Sequence, residues 1–205
     1  MFQARPLDSS SKAQLSAAIV NTVVKESYRV LKDHPVNLVR QKKMFLPANI
    51  ILPRDAGISL PVFSVKRGWA AVVGMHLEKG LAKCCGMAVL SISYPTFFSW
   101  ISAERRLLKT LRAEIAAAKK YLRRGAYETY YIHFKPVDVA GHDGNALLKR
   151  DLLALLDKKF FNFLWRRRAD LTLVVTGDHA TPCAHKAHSA DVVPFLFYNG
   201  KRTDG

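Results

Sequence analysis

The chain has 205 residues, with 32 Lys and Arg against 16 Asp and Glu, which gives a formal net charge of +16. Hydrophobic residues make up 49% and charged residues 23% of the sequence, a balance typical of folded proteins that excludes wholesale disorder. No apolar run reaches the roughly 18–20 residues that a membrane-spanning helix needs, and the polar N-terminus shows no secretory signal. The charge therefore raises the question of an anionic partner.

Strands that alternate with helices are predicted from the hydrophobic pattern. Helices are expected at residues 15–32, 76–85, 105–124 and 146–164. Strands are expected at residues 49–52, 70–74, 88–92, 129–134, 171–175 and 192–198. The run at 171–175 (LTLVV) is typical of a central parallel strand. This alternation predicts an α/β fold with a mostly parallel sheet flanked by helices.

The cysteines indicate where the protein works. Cys84 and Cys85 are adjacent, and three cysteines cannot all form pairs. A disulfide framework is therefore excluded, and we expect a reducing, intracellular setting, the cytoplasm.

The positive charge is densest in two stretches. Residues 105–124 (RRLLKTLRAEIAAAKKYLRR) predict an amphipathic helix with a basic outer face. Residues 158–168 (KKFFNFLWRRR) mix cations with aromatic rings, which could hold phosphates and stack bases. We prefer the interpretation in which the rings are buried and the cations are solvated. Because no known nucleic-acid-binding motif accompanies either stretch, a nucleic-acid partner is not expected.

Histidine and aspartate are enriched in the second half of the chain. Five of the seven histidines and eight aspartates follow Glu128, and no further glutamate does. Asp138-Val-Ala-Gly-His142 follows the predicted strand TYYIHF, and a D-x3-H spacing brings carboxylate and imidazole to one metal on a helical turn or a tight loop. Thr176-Gly-Asp-His179 follows LTLVV, and a third histidine, His185 or His188, comes after it.

Each motif also has a simpler explanation. Asp178 could cap a helix, Cys183 could be a packing residue, and Ser189 could orient His188. Taken together after two predicted strands, the motifs favour a metal site. Carboxylates and imidazoles suit Mn²⁺ or Zn²⁺, and two neighbouring ions can clamp the oxygens of a transferred phosphoryl group.

Three segments that carry these motifs resemble the C-terminal half of the archaeal-type, cofactor-independent phosphoglycerate mutases of the alkaline phosphatase superfamily. They are IHFKPVDVAGHDGN, VVTGDHATPC and KAHSADVVPFLFYNG. Upstream, VLKDHPVNLVR, LPANIILPRDAG and MHLEKGLAKCCGMAVL resemble consecutive segments of the same family, so the likeness covers about residues 15–205. It implies an incomplete alkaline-phosphatase-like sheet at residues 66–205, the metal-binding core. Residues 1–65 are then part of an inserted substrate-binding α/β domain.

The resemblance also implies a reaction and the residues that bind its metal ions and substrate. The family interconverts 2- and 3-phosphoglycerate in glycolysis and gluconeogenesis, using two divalent metal ions and a phosphoserine intermediate. Carried over by motif, one metal is held by Asp138, His142 and His188, and part of the second site by Asp178 and His179. His188 is chosen over His185 because the family's ligand directly precedes a serine. Arg54 and Lys79 are expected to bind the substrate's phosphate and carboxylate, an Arg as a bidentate fork and a Lys as a point charge.

One part of the family pattern has no counterpart in this sequence. The family's N-terminal segment supplies an aspartate of the second metal site and the nucleophilic serine, and none of the serines here stands in a matching context. A phosphoserine route requires such an activated serine. Two alternatives to a mutase therefore stay open: a related metal-dependent phosphatase or phosphotransferase, and a non-catalytic or partner-dependent metal-binding fragment. A third alternative, a basic binder of nucleic acid or a membrane surface, rests on the net charge of +16.

Overall fold

The computed structural model describes residues 3–53, 57, 59, 61–95 and 101–200. The chain divides into two compact units, residues 1–62 and 63–205. No helix in the described ranges is long and apolar enough to cross a bilayer.

The described part of the first unit contains two helices. Helix α1 (Ser11–Leu31) begins after Ser10, whose Oγ accepts a hydrogen bond of 3.1 Å from the backbone N–H of Ala13. The helix predicted at 15–32 is confirmed. A second helix, α2 (Pro35–Lys42), was not predicted; it opens on Pro35, at the position where proline fits best.

The prediction of a strand at residues 49–52 is wrong. These residues have no regular secondary structure, and the side chains of Ile51 and Leu52 are 54% and 63% exposed. Within the ranges that the structure describes, no strand pairs with them. Their apolar character predicted a buried strand, but a strand needs a neighbour to satisfy its backbone groups.

A parallel sheet forms the centre of the second unit. Its strands are β1 (Trp69–Val72), β2 (Ala88–Leu90) and β3 (Thr129–Ile132), in the order β2-β1-β3. Helix α3 (His76–Cys84) connects β1 to β2, and helix α4 (Ala103–Arg124) connects β2 to β3. Both strand pairs are parallel, so the prediction of an α/β fold with a parallel sheet flanked by helices is confirmed.

The two crossover helices cover opposite faces of this sheet. Ala71 and Val73 pack with Ala82 of α3, whereas Val72 packs in a second cluster with Leu111 of α4. Successive side chains of a strand point to opposite faces, so the alternation within β1 accounts for both clusters. The first crossover leads from β1 to β2, and the second leads from β2 back past β1 to β3. The strand order therefore reverses at β1. In α/β folds, ligands bind at the carboxyl ends of strands at such a point.

Between β3 and β4, the chain is mostly helical. Helix α5 (Pro136–His142) follows the strand directly, and helix α6 (Ala146–Leu156) continues through a π-helical turn (Asp157–Phe161) into α7 (Asn162–Trp165). The helix predicted at 146–164 is therefore confirmed. Its buried side chains Leu152, Leu156 and Phe160 pack in the same cluster as Leu111 of α4.

The prediction of a central parallel strand at LTLVV is wrong. Strand β4 (Thr172–Thr176) pairs antiparallel with β5 (Phe195–Asn199), and the pair forms a separate two-stranded sheet. Leu173 packs against the main core, but Val174 and its partner Phe197 are 55% and 62% exposed. A continuous apolar run indicates that both faces of a strand can be buried. It does not determine whether the strand pairs parallel or antiparallel with its neighbour.

Candidate metal centre

Asp138 and His142 lie on one helix. Pro136 opens α5 four residues after the end of β3, so the helix starts at the carboxyl edge of the sheet. The i, i+4 spacing places both side chains on one face, with Asp138 Oδ1 and His142 Nε2 3.6 Å apart. Of the two geometries left open by the spacing, a helical turn and a tight loop, the structure has the helical turn.

The second group of side chains comes from the loop between β4 and β5. Asp178 and His179 follow the end of β4, and Asp178 Oδ2 lies 3.3 Å from His179 Nε2. The backbone N–H of Ser189 donates to the carbonyl of Ala180 over 3.1 Å, which brings the two arms of this loop together. The His179 and His188 rings stack as a result, with centroids 3.5 Å apart.

The two groups meet at the carboxylate of Asp138. Its Oδ1 lies 3.8 Å from His188 Nε2 and 4.0 Å from His179 Nδ1. One ligand atom from each of Asp138, His179 and His188 fits within 4.8 Å of the others. The structure thus brings all five motif residues, including His142 and Asp178, into one cluster.

The orientation of His142 fits a metal ligand. Its Nδ1 lies 3.1 Å from the carbonyl oxygen of Lys186, and since a carbonyl only accepts, Nδ1 carries the proton. In the neutral ring this leaves a lone pair on Nε2, which faces His188 Nε2 at 3.1 Å and Asp138 Oδ1. A backbone carbonyl that fixes the tautomer in this way is the usual support of a metal-ligating histidine. The donor set of a carboxylate and imidazoles therefore fits a divalent ion such as Mn²⁺ or Zn²⁺.

Two neighbours hold the carboxylate of Asp138. Lys135 Nζ lies 2.7 Å from Oδ2, and the Thr181 hydroxyl donates to Oδ1 over 2.5 Å. Burial raises the pKa of Asp138, but these hydrogen bonds and the Lys135 charge outweigh it, so the pKa lies below its usual value. Neither residue was predicted from the sequence. Lys135 had a signal in its i, i+3 spacing to Asp138, whereas Thr181 had none.

Thr181 also determines the orientation of His179. Because its hydroxyl proton points to Asp138, its oxygen is free to accept from His179 Nδ1, which lies 3.1 Å away. In the neutral ring, His179 Nε2 then carries the lone pair and faces the carboxylate of Asp178. This pair offers a nitrogen and an oxygen to a second cation, beside the group around Asp138.

The two residues expected to bind the substrate are Lys79 and Arg54. Lys79 lies on α3 and is half-buried, and none of its described neighbours forms an ion pair with it. Arg54 lies outside the described residues. His185 is exposed and is not among the residues grouped around Asp138.

A second polar cluster, also missed from the sequence, lies near the carboxyl ends of β1 and β3. His133 Nδ1 lies 3.1 Å from Glu78 Oε1, and the Tyr94 hydroxyl donates to Glu114 Oε1 over 3.1 Å. Glu114 is 2% exposed, and burial together with the charge of Glu78 raises its pKa to about 7 even though the Tyr94 hydrogen bond lowers it. A β-carbon on Gly74 would collide with the Tyr94 hydroxyl. The strand predicted at 129–134 included His133, so its position directly after the end of β3 was visible only in the structure.

A low-pKa carboxylate among three imidazoles, at the carboxyl edge of a parallel sheet, is typical of metal-dependent α/β enzymes. The comparison with known families agrees. The family model described as the metalloenzyme superfamily matches residues 100–205, which is more than half of the chain. The chain therefore belongs to this superfamily.

The relatives in this superfamily confirm the resemblance drawn from the motifs. The chain is 35% identical over 199 residues to "2,3-bisphosphoglycerate-independent phosphoglycerate mutase 1" of Methanocaldococcus jannaschii, covering 95% of this chain and 46% of the relative. It is 37% identical over 205 residues to the Thermoplasma volcanium protein named as the same enzyme, covering 98% and 46%. The solved PH0037 protein of Pyrococcus horikoshii is 31% identical, with a TM-score of 0.66 over 95% of this chain and 50% of that one. The chain thus spans about half the length of these relatives.

Proposed function

We propose that this chain forms the metal-binding part of a cofactor-independent phosphoglycerate mutase, which interconverts 2- and 3-phosphoglycerate. The observation that carries the proposal is the Asp138 carboxylate, with the Nε2 atoms of His142 and His188 3.6 and 3.8 Å from one oxygen. The relatives named as this enzyme support the choice of reaction. Because the chain spans about half their length, the activity of the whole protein is part of the proposal.

The proposed ligands divide between two divalent metal ions. One ion is held by Asp138, His142 and His188, and the other in part by Asp178 and His179. The lone pair of His142 Nε2, fixed by the Lys186 carbonyl, supports the first assignment. The lone pair of His179 Nε2 beside Asp178 Oδ2 supports the second.

The chain's own residues have supporting tasks in this reaction. When bound, the metal ions supply Lewis acidity at the phosphoryl oxygens. Lys135 and Thr181 fix the orientation of the Asp138 carboxylate, and we assign Lys79 and Arg54 to the substrate's phosphate and carboxylate. The nucleophilic serine of the phosphoserine route comes from outside these 205 residues. Ser189, the serine beside the ligands, donates its hydroxyl proton to Asp191 over 2.8 Å and serves to orient the loop.

Residues 1–65 complete the proposal as part of an inserted substrate-binding domain, and residues 66–205 as part of the metal-binding core. We place the protein in the cytoplasm. All three cysteines are free thiols, which suits a reducing compartment.

The proposal is tested by complementation. The half of the Methanocaldococcus jannaschii relative that this chain does not match is expressed separately and mixed with the chain. We expect conversion of 3- to 2-phosphoglycerate, followed by ³¹P NMR, that requires Mn²⁺ or Zn²⁺ and is lost in Asp138→Asn. The matched control Asp151→Asn removes an exposed aspartate of α6 and should leave conversion unchanged. Hydrolysis to inorganic phosphate without isomerisation would instead indicate a phosphatase.

A second candidate function is a metal-binding chain that is catalytic only together with another polypeptide. It is supported by Ser189, the serine beside the ligands, because its hydroxyl proton is donated to Asp191 and the residue has no assigned part in the chemistry. In that case the metal-loaded chain binds 3-phosphoglycerate, measured by calorimetry, but does not turn it over. Turnover by the chain alone would contradict this candidate.

A further inference from the structure

A groove of about 560 Å³ lies between α4 and the C-terminal end of α6. We call it the basic groove, and it contains residues of both basic stretches found in the sequence. Its floor is apolar, formed by Ile115, Ala116 and Leu155. Four cationic side chains line it: Arg112, Lys119, Arg123 and Lys159.

The cations of the basic groove lack acidic partners. No carboxylate in the described part of the chain forms an ion pair with any of the four. Lys119 Nζ donates to the backbone carbonyl of Lys159 over 3.2 Å, and Lys119 and Arg123 lie 5.2 and 5.1 Å from the centre of the Phe163 ring. The ring face attracts these cations and holds them side by side. Neither contact adds a negative charge, so the groove keeps its positive charge, which favours the binding of an anion.

The basic groove is remote from the metal centre. Helices α4 and α6 start together near the metal ligands, where Asn145 Nδ2 donates to Glu104 Oε1 over 3.0 Å. Arg112 lies eight residues further along α4, about 12 Å at 1.5 Å per residue. Lys159 follows the end of α6, in the π-helical turn. The groove therefore faces a different part of the second unit from the proposed catalytic edge.

We propose that the basic groove is a second, metal-independent binding site for a small polyphosphate, of the class of nucleoside triphosphates or inorganic triphosphate. A single phosphate would engage only part of the four positive charges, whereas a run of phosphates engages several of them. The volume lies within the roughly 300–1,000 Å³ of small-molecule sites. The apolar floor has room for a base or sugar face but presents no acidic or amide side chain to identify a particular base. This inference does not depend on the mutase activity.

The direct test is binding of a fluorescent N-methylanthraniloyl derivative of ATP to the intact chain, in chelator and at low ionic strength. We expect saturable binding that unlabelled ATP reverses. Inorganic phosphate and 3-phosphoglycerate should compete at least tenfold more weakly. Competition by inorganic triphosphate distinguishes inorganic triphosphate from a nucleoside triphosphate as the ligand. If it competes as strongly as unlabelled ATP, the phosphates alone are sufficient for binding. If it competes tenfold more weakly than ATP, the apolar floor also binds the nucleoside. Either result supports the site.

Two variants on α4 locate the binding. Lys119→Glu should weaken binding at least tenfold. The matched control Lys120→Glu makes the same charge change on the next residue, which is exposed and does not line the groove, and it should stay within twofold. Circular dichroism melts of both variants confirm that they are folded. Arg123→Glu is a second variant of the groove, should Lys119→Glu not fold.

Three results would overturn the proposal. The first is the absence of saturable binding of the labelled nucleotide. The second is equal weakening by Lys119→Glu and Lys120→Glu, which would indicate a general charge effect. The third is a twelve-nucleotide single-stranded RNA that binds more than tenfold more tightly than ATP, with affinity falling steeply with salt, which would indicate an extended nucleic-acid surface.

Discussion

His142 Nε2 lies 3.1 Å from His188 Nε2, although the two residues are 46 positions apart in the sequence. With the proton of His142 on Nδ1, the two facing nitrogens have at most one proton between them when His188 is neutral. A third group, Asp138 Oδ1, lies within 4 Å of both nitrogens. This close set of lone pairs is the arrangement that a divalent cation stabilises, and it underlies the predictions that follow.

Removal of the Thr181 hydroxyl should weaken metal binding without removing a ligand. In Thr181→Val, Asp138 loses a hydrogen bond of 2.5 Å and His179 loses the partner of its Nδ1. Changes to such supporting groups cost about 10–100-fold in metal affinity. Calorimetric titration with Zn²⁺ measures the effect. The control Thr22→Val removes an exposed hydroxyl of α1 that bonds within its own helix, and an equal loss there would contradict the assigned role.

The stability of the protein should fall as the pH rises from about 4.5 to about 7 through the titration of Glu114. Its pKa is raised from 4.5 to about 7 by burial, so over this interval the folded state binds more protons than the unfolded state. The free energy of unfolding therefore decreases with pH there and levels off above about 7.

The variant that isolates this titration is Glu114→Gln. Its amide oxygen can still accept from Tyr94, but it does not ionise. We expect its melting temperature to depend less on pH than that of the unchanged protein between pH 5 and 8. Glu128→Gln, at an exposed glutamate, is the control. Parallel pH profiles of the unchanged protein and Glu114→Gln would contradict the prediction.

The close approach at Gly74 predicts a specific pattern of destabilisation. In Gly74→Ala the new β-carbon meets the Tyr94 hydroxyl, and we expect a loss of about 1–3 kcal/mol in the free energy of unfolding. Tyr94→Phe removes that hydroxyl, so the double variant should recover part of the loss. Gly80→Ala, in the interior of α3 with open space around it, should be neutral or stabilising by about 0.5–1 kcal/mol. Urea unfolding of the unchanged chain and the four variants measures these effects, and additive losses in the double variant would contradict the contact.

The sequence predicted an element best where the element buries a regular apolar stripe and also ends at a recognisable residue. The helix predicted at 105–124 begins two residues earlier, after Ser102, and ends before Gly125, which has the left-handed conformation that glycine favours. Leu111 and Ile115, two of its apolar positions, are buried in the main core. Local periodicity and end signals were therefore sufficient for this helix.

Pairing between distant segments could not be derived from local pattern. LTLVV was predicted as a central parallel strand, yet its partner is β5, which begins 19 residues after β4 ends and runs antiparallel to it. The same limit applies to the site: the motifs identified Asp138 and His179, but the Thr181 hydroxyl that joins them has no sequence pattern of its own. Its role depends on three-dimensional proximity.

The most direct test of the central claim is a titration of the chelator-stripped chain with Mn²⁺ and Zn²⁺ by isothermal calorimetry. We predict saturable binding of at least one ion per chain, weakened at least about 100-fold in Asp138→Asn, beyond the cost of losing a supporting group. Asp151→Asn should bind as the unchanged chain does. Equal affinity of the unchanged chain and Asp138→Asn for both metals would contradict the account.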